Sequence, residues 1–311
     1  MLALDEHESL LGLRAMATVA RADNALTDTE SDILTVAAEA LGRPGLDVRA
    51  LTPVTPAELS LGLTNPVARE RAVQAMILTA MIDGHVDGPE ADTVTRFAEA
   101  LGVNEARVRN LRQLAEGRTR LLWFDLARRS FARPIFEDAL RKRGLRGVWD
   151  IVGPMVGLAR DPDREREYLA LGELPEESLG YAYYRFIVDN ELGFPGEGAV
   201  AEEGVWHDVS HVLGGYGIDT AGEVSVVSFI AGYKREDPFF WLFTIALQFH
   251  LGVRVSPYSP RERGYFDPRR VRRALERGAA MNTDISRDWS LWEHCHRPLA
   301  AVRRELGVPP P

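Results

Sequence analysis

The chain repeats itself at an offset of 60, and this constrains its fold more than any other feature. Residues 15–42 open on Ala15-Met16 and close on Ala38-Glu39-Ala40-Leu41-Gly42; residues 75–102 open on Ala75-Met76 and close on Ala98-Glu99-Ala100-Leu101-Gly102. Asp23, Glu30 and Asp32 recur as Asp83, Glu90 and Asp92. Within each copy the apolar positions recur at three and four, the period of a helix with one buried face. Each copy therefore reads as helix, acidic turn, helix. Thr27 or Asp87 can cap the second helix, with Glu30 or Glu90 three residues on, the spacing of a capping box. Gly42 and Gly102 stand where a helix stops. Two such copies predict a helical bundle.

The Pro- and Gly-rich stretch from Arg43 to Pro66 holds one short helix at most, and Asn104 can cap another helix running to about Ala115. Residues 116–120 form a boundary, which gives two domains, 1–116 and 117–311. The second also reads as helical, with helical periodicity over 121–136 and 138–157, a turn over 173–178, an aromatic-rich helix over 179–190 and a loop over 193–198. Val253-Arg254-Val255 is too short to carry a sheet, so the whole chain is expected to be all-α.

Composition narrows the function. The formal net charge is −9, with 37 basic and 46 acidic residues, the wrong sign for a dedicated nucleic-acid binder. A single cysteine, Cys295, excludes an internal disulfide and a thiolate zinc cluster. The N-terminus carries acids where a signal peptide needs basic residues, which predicts a cytoplasmic chain. The longest apolar stretch, Pro238 to Val253, is broken by Gln248 and His250 and is shorter than the roughly 20 residues of a spanning helix. It is expected to be a buried helix, with lipid contact as the alternative. Seven arginines between Arg261 and Arg277 suggest a solvated face or a surface that meets anionic membrane.

The chemistry concentrates at Trp206-His207-Asp208-Val209-Ser210-His211. His207 and His211 are four apart and share one helix face, so both imidazoles can reach one ion. Asp208 can lean onto the same face. Gly214-Gly215 should end that helix, and Asp219 or Thr220 can start the next, which carries Glu223 back to the imidazoles. Two His and two carboxylates suit Zn²⁺ or Fe²⁺. The same residues also suit a hydrogen-bonded surface patch. A peptidase is disfavoured, because His-Asp-x-x-His has a shorter acid than the metalloprotease pattern. His294-Cys295-His296 has ligand-type residues, but neighbours on a helix point apart.

His207-Asp208-x-x-His211, eleven residues and then Glu223 resembles the signature of the coenzyme Q biosynthesis protein four family. Leu174-Pro175 with Ser178-Leu179-Gly180-Tyr181-Ala182-Tyr183, Asp161-Pro162-Asp163-Arg164, and the stretches Trp292 to Leu299 and Leu306-Gly307-Val308 are similar to other parts of it. The resemblance covers about 180 residues. It implies an all-α fold, one divalent metal ion held by His207, Asp208, His211 and Glu223, and a channel for a prenyl lipid. It further implies a prenylated quinone precursor as ligand, quinone-biosynthesis enzymes as partners, a homodimer, and peripheral contact with the inner membrane. A metal-dependent oxidative decarboxylation at C1 of the ring is the activity attributed to such proteins, alongside a role in presenting the lipid to other enzymes.

Residues 1–116 resemble the TerB-like (tellurite-resistance B) helical domain, on Ala22-Asp23-Asn24-Ala25-Leu26 with Glu30 and Ile82-Asp83-Gly84-His85-Val86-Asp87 with Glu90. Asn24 departs from the usual Gly. That resemblance implies metal binding at the acidic turns, whereas the residues by themselves suit helix capping and solvation equally. Two other classes stay open: a non-catalytic metal-binding scaffold or stress-response protein, and a metal-dependent hydrolase.

Overall fold

The computed structural model describes residues 4–23, 26–129, 160–197, 202–255, 260–287 and 289–310, together with Arg141 and Gly144. Apart from Arg141 and Gly144, the periodic stretch over 138–157 lies outside the described residues, as do the end of that over 121–136, Asn24, Ala25 and Gly198. Among those described, every regular element is a helix, and the only β-type pairings are the isolated bridges Ser178–Pro298 and Leu251–Arg263. The protein is all-helical. Among the described residues no helix is long and apolar enough to cross a membrane.

The chain divides into two compact units, and the division is not a single cut. The first comprises residues 1–126 and 243–272, the second residues 127–242 and 273–311. In the first, α1 (Glu6–Ala20) packs on α2 (Asp28–Ala40), α3 (Pro56–Gly62) and α4 (Pro66–Thr79). Next, α5 (Gly88–Leu101) packs on α4 and on α6 (Ala106–Ala115), and α7 (Thr119–Arg129) follows. The repeat accounts for this core: Leu13, Ala17, Leu34, Val73, Ile77, Val94 and Phe97 are all fully buried, or nearly so.

The caps are local and follow the sequence. Glu30 Oε2 accepts from Thr27 N at 2.7 Å, and Thr27 Oγ1 accepts from Glu30 N at 3.2 Å. Gly102 is left-handed with φ of 66°, the conformation glycine adopts without strain at a helix end. The cap of α6 is Glu105 rather than Asn104: its Oε1 accepts from Arg107 N at 3.1 Å and also pairs with the Arg107 guanidinium.

In the second unit, α8 (Pro162–Leu169) precedes α9 (Leu179–Asp189), α10 (Val205–Gly214) and α11 (Thr220–Tyr233). The chain then continues as α12 (Pro238–Ile245), a π-helical turn over Ala246–His250, α13 (Pro268–Ala279), α14 (Leu291–His294) and α15 (Leu299–Leu306). The apolar stretch beginning at Pro238 is indeed buried helix, with Phe239, Phe243 and Leu247 at 2% exposure or less.

The arginine-rich stretch is more than a solvated face. In the first unit Arg269 pairs with Asp32 and Glu39, and Arg272 with Glu39, at 3.1–3.2 Å. In the second, Arg277 is partly buried and donates to Gly214 O, Tyr216 Oη and Pro309 O. These partners lie 32 to 237 residues away in sequence, beyond what local spacing can signal.

Candidate metal centre

Helix α10 carries both imidazoles, and its end is fixed by residues remote in sequence. Gly215 takes the left-handed conformation, φ 71°, and turns the chain as the paired glycines suggest. The last carbonyls of a helix lack intrahelical donors. Here Arg303 donates from Nη2 to Val212 O at 2.7 Å and from Nε to Leu213 O at 3.0 Å, and Arg277 covers Gly214 O at 2.9 Å. Asp219 starts α11, its Oδ1 accepting from Gly222 N at 2.9 Å. Gly222 is needed there, because a Cβ would lie 2.0 Å from Gly217 O.

This turn returns Glu223 to the imidazoles. Glu223 Oε1 lies 3.3 Å from His211 Nε2, and Oε2 lies 3.9 Å from His207 Nε2. One ligand atom from each of the three residues falls within 4.8 Å of the others. Two donors on one tetrahedral ion at about 2.1 Å are about 3.4 Å apart, so the donors stand near the spacing one ion needs. Among the described residues no other group of three or more His, Cys, Asp or Glu has this convergence.

Asp208, the fourth expected ligand, stands outside that group. Its Oδ1 lies 3.4 Å from His207 Nδ1, on the side of the ring away from Glu223. His211 Nδ1 faces Tyr216 O at 3.2 Å. Each imidazole thus has its Nδ1 against an oxygen and its Nε2 toward the convergence point, the arrangement by which outer partners fix tautomer and ring direction at metal sites. Burial acts to lower the His207 pKa, but the hydrogen bond and charge of Asp208 and the charge of Glu223 outweigh it and raise it. His211 is 2% exposed and has the ring of Phe186 stacked on it at 5.1 Å and 25°. The two imidazole centroids are 5.0 Å apart.

The remaining motif residues do not join this centre. His294 donates from Nδ1 to Ser290 O, 3.0 Å away, and stacks on Trp289, while Cys295 is buried and its thiol is pushed up by that burial. In the first unit Glu30 and Glu90 are 2% and 1% exposed, and their carboxylates serve the caps of α2 and α5. Burial pushes both upward, Glu90 to about 8, with Asp83 and Asp23 adding to the effect on each. Asp83 itself lies 3.0 Å from His85 Nδ1.

Sequence spacing gives no sign of Phe186, which stacks on His211, or of Arg277 and Arg303, which hold the end of α10. Tyr216 alone had a local cue, standing in the glycine-rich break itself. No protein-family model matches the chain, and no curated protein is found similar to it.

Proposed function

We propose that this chain binds one divalent metal ion through His207, His211 and Glu223, three of the four ligands that the resemblance to the coenzyme Q biosynthesis protein four family implies, Asp208 being the fourth, and that it acts on or presents a prenylated ring precursor in quinone biosynthesis. The observation that carries the reading is the convergence of those three side chains, from α10 and from the first turn of α11, on one point. Their donor set fits zinc or ferrous iron: two imidazole nitrogens and a carboxylate, borderline in character. Such an ion, when bound, supplies a Lewis acid, and iron adds a change of oxidation state that zinc lacks.

The chain's own residues do the rest. Asp208 holds His207 through Nδ1, and the carbonyl of Tyr216 holds His211. Arg303 and Arg277 keep the end of α10 in place, and Asp219 aims Glu223. In this proposal the first helical module is TerB-like and serves docking or sensing, partner enzymes approach as a homodimer assembles, and the inner membrane surface is the source of the lipid.

The test is metal content by elemental mass spectrometry on untagged wild type and on a His207→Ala/His211→Ala variant. About one equivalent of iron in the wild type, lost in the variant, is the result expected for oxidative ring chemistry. One equivalent of zinc, lost likewise, supports a Lewis-acid or scaffold role. No metal in the wild type after reconstitution refutes the proposal.

A further inference from the structure

Helix α7 is apolar on both sides, and only one side is covered. At about 100° per residue, Leu122, Asp125 and Leu126 fall on one side of it, and Arg120, Leu121, Trp123 and Phe124 on the other. Leu122 and Leu126 are buried. Asp125 is buried with them, its Oδ2 accepting from Asn110 Nδ2 at 2.9 Å and from Arg109 Nη2 at 3.2 Å. Those bonds tie the inner side of α7 to α6. The outer side is open: Leu121 is 53% exposed, Trp123 58% and Phe124 67%.

A helix that is apolar all round is normally covered all round, and a contiguous apolar patch left in water marks a surface that meets something. Trp123 and Phe124 are the only exposed Trp and Phe among the described residues, and no other stretch of four described residues exposes three large apolar side chains.

Charge selects the partner. The whole chain carries −9, yet residues 118–129 hold four arginines and one acid. That acid is Asp125, turned inward. Arg118 pairs with Glu116 at 3.0 Å. Arg120 is exposed beside the apolar patch, and Arg128 stands one turn after Phe124 in the same helix. Aromatic rings among arginines suit the boundary of a bilayer, where the rings sit at headgroup level and the basic residues are drawn to anionic lipid. A second copy of the chain suits this face poorly, because a two-fold interface sets a patch against itself and would bring arginine against arginine.

We infer that α7 is a docking surface for an anionic lipid bilayer, with Leu121, Trp123 and Phe124 entering the headgroup region and the arginines around them answering its negative charge. The helix lies outside every motif that carries either family resemblance, and the inference holds whether or not the second unit takes a metal. It gives an acidic protein one face on which it can approach a negative surface.

The test floats the full-length protein with vesicles of phosphatidylcholine alone, and of phosphatidylcholine mixed with phosphatidylglycerol, at low and high salt. Wild type is expected to float with the anionic vesicles, far less with the neutral ones, and to be released by salt. Trp123→Ser/Phe124→Ser should bind the anionic vesicles at least about tenfold more weakly, since two rings no longer leave water. Its thermal midpoint should be unchanged, because both side chains stand in solvent. Arg120→Gln/Arg128→Gln should also lose about tenfold. Leu61→Ser, which removes an apolar side chain 82% exposed on α3, should float as wild type does. Wild type that does not float with anionic vesicles overturns the inference. So does an aromatic or arginine variant that floats like wild type, or equal flotation with neutral vesicles. Light scattering after size exclusion covers the rival occupant: a wild-type dimer that becomes a monomer in Trp123→Ser/Phe124→Ser assigns the face to a second copy and overturns the lipid reading.

Discussion

Replacing Glu90 by Gln should flatten the dependence of stability on pH. Glu90 is 1% exposed; one carboxylate oxygen faces Asp87 N at 3.4 Å and the other, Oε1, is buried without a partner. Burial, then the charges of Asp83, Glu30 and Asp23, push its pKa from 4.5 to about 8. The folded chain therefore keeps a proton that the unfolded chain releases. For a group raised in this way, the stability contribution is fully present below the unfolded value and is lost as pH rises through the folded one. At about 1.4 kcal/mol per pH unit, the interval amounts to roughly 5 kcal/mol at most. Gln keeps an acceptor for Asp87 N and puts an uncharged donor among acidic neighbours. Thermal unfolding followed by circular dichroism from pH 5 to pH 9 is the assay. Wild type and Glu90→Gln should have similar midpoints near pH 5 and diverge upward in pH. At roughly 2–4 °C per kcal/mol for a chain of this size class, the variant should unfold some 10 °C higher at pH 9. Parallel curves over the whole range would refute the argument, since they would mean that Glu90 ionises in the fold as freely as in water.

Three further outcomes follow from the second unit. Gly278→Ala would place a Cβ 1.9 Å from Phe229 O and 3.1 Å from Gly232 Cα, so α11 and α13 must separate; urea denaturation should show a loss of about 3 kcal/mol, whereas a neutral result would mean that the helices do not cross so closely. Arg303→Met strips the donors from Val212 O and Leu213 O at the end of α10, and chemical denaturation should report a loss of about 2–3 kcal/mol together with weaker metal uptake. Metal affinity should also fall with acidity. Burial lowers the His207 pKa less than Asp208 and Glu223 raise it, and an ion must displace that proton, so affinity measured by competition with a chelator should begin to drop above pH 6.5 and fall about tenfold per unit below the imidazole's pKa; a flat profile between pH 8 and 6 would count against His207 as a ligand.

Local spacing carried the elements, and long-range packing carried what holds them. The capping boxes at Thr27 and Asp87, the stop at Gly102 and the break at Gly214-Gly215 were legible because each is settled within five residues of chain. So was the pairing of His207 with His211, fixed by helix geometry alone. The side of His207 that Asp208 would take was not legible: a residue adjacent in sequence can reach Nδ1 as easily as lean toward an ion, and only the placed ring distinguishes the two. Arg277 and Arg303 were invisible for a different reason. Each covers carbonyls of α10 from 63 to 91 residues away, and nothing in an arginine-rich helix says which of its guanidinium groups turns inward. The discontinuous first unit is a further case, in which His250, in the π-helical turn, faces Ile82 O at 2.7 Å across 168 residues.

One position along a helix separates the acids of the first unit from the acid of the centre. Glu30 stands third after its cap, Thr27, and Glu90 third after Asp87; at that position a carboxylate reaches back to the cap's own N–H. Its oxygens are then committed to the backbone, and burial drives the group toward its neutral form. Glu223 stands fourth after its cap, Asp219, and a step of one residue turns a side chain about 100° around the helix. The third position is Gly222, with no side chain to reach back and no room for one beside Gly217 O. Asp219 caps the helix alone, which leaves Glu223 18% exposed and facing two imidazoles at 3.3 and 3.9 Å. The carboxylate that the first unit commits to a cap is therefore turned here toward two imidazole nitrogens. An acidic turn followed by Glu sends that Glu back to the cap or on to the imidazoles according to whether it falls at the third or the fourth position, and this chain contains both arrangements.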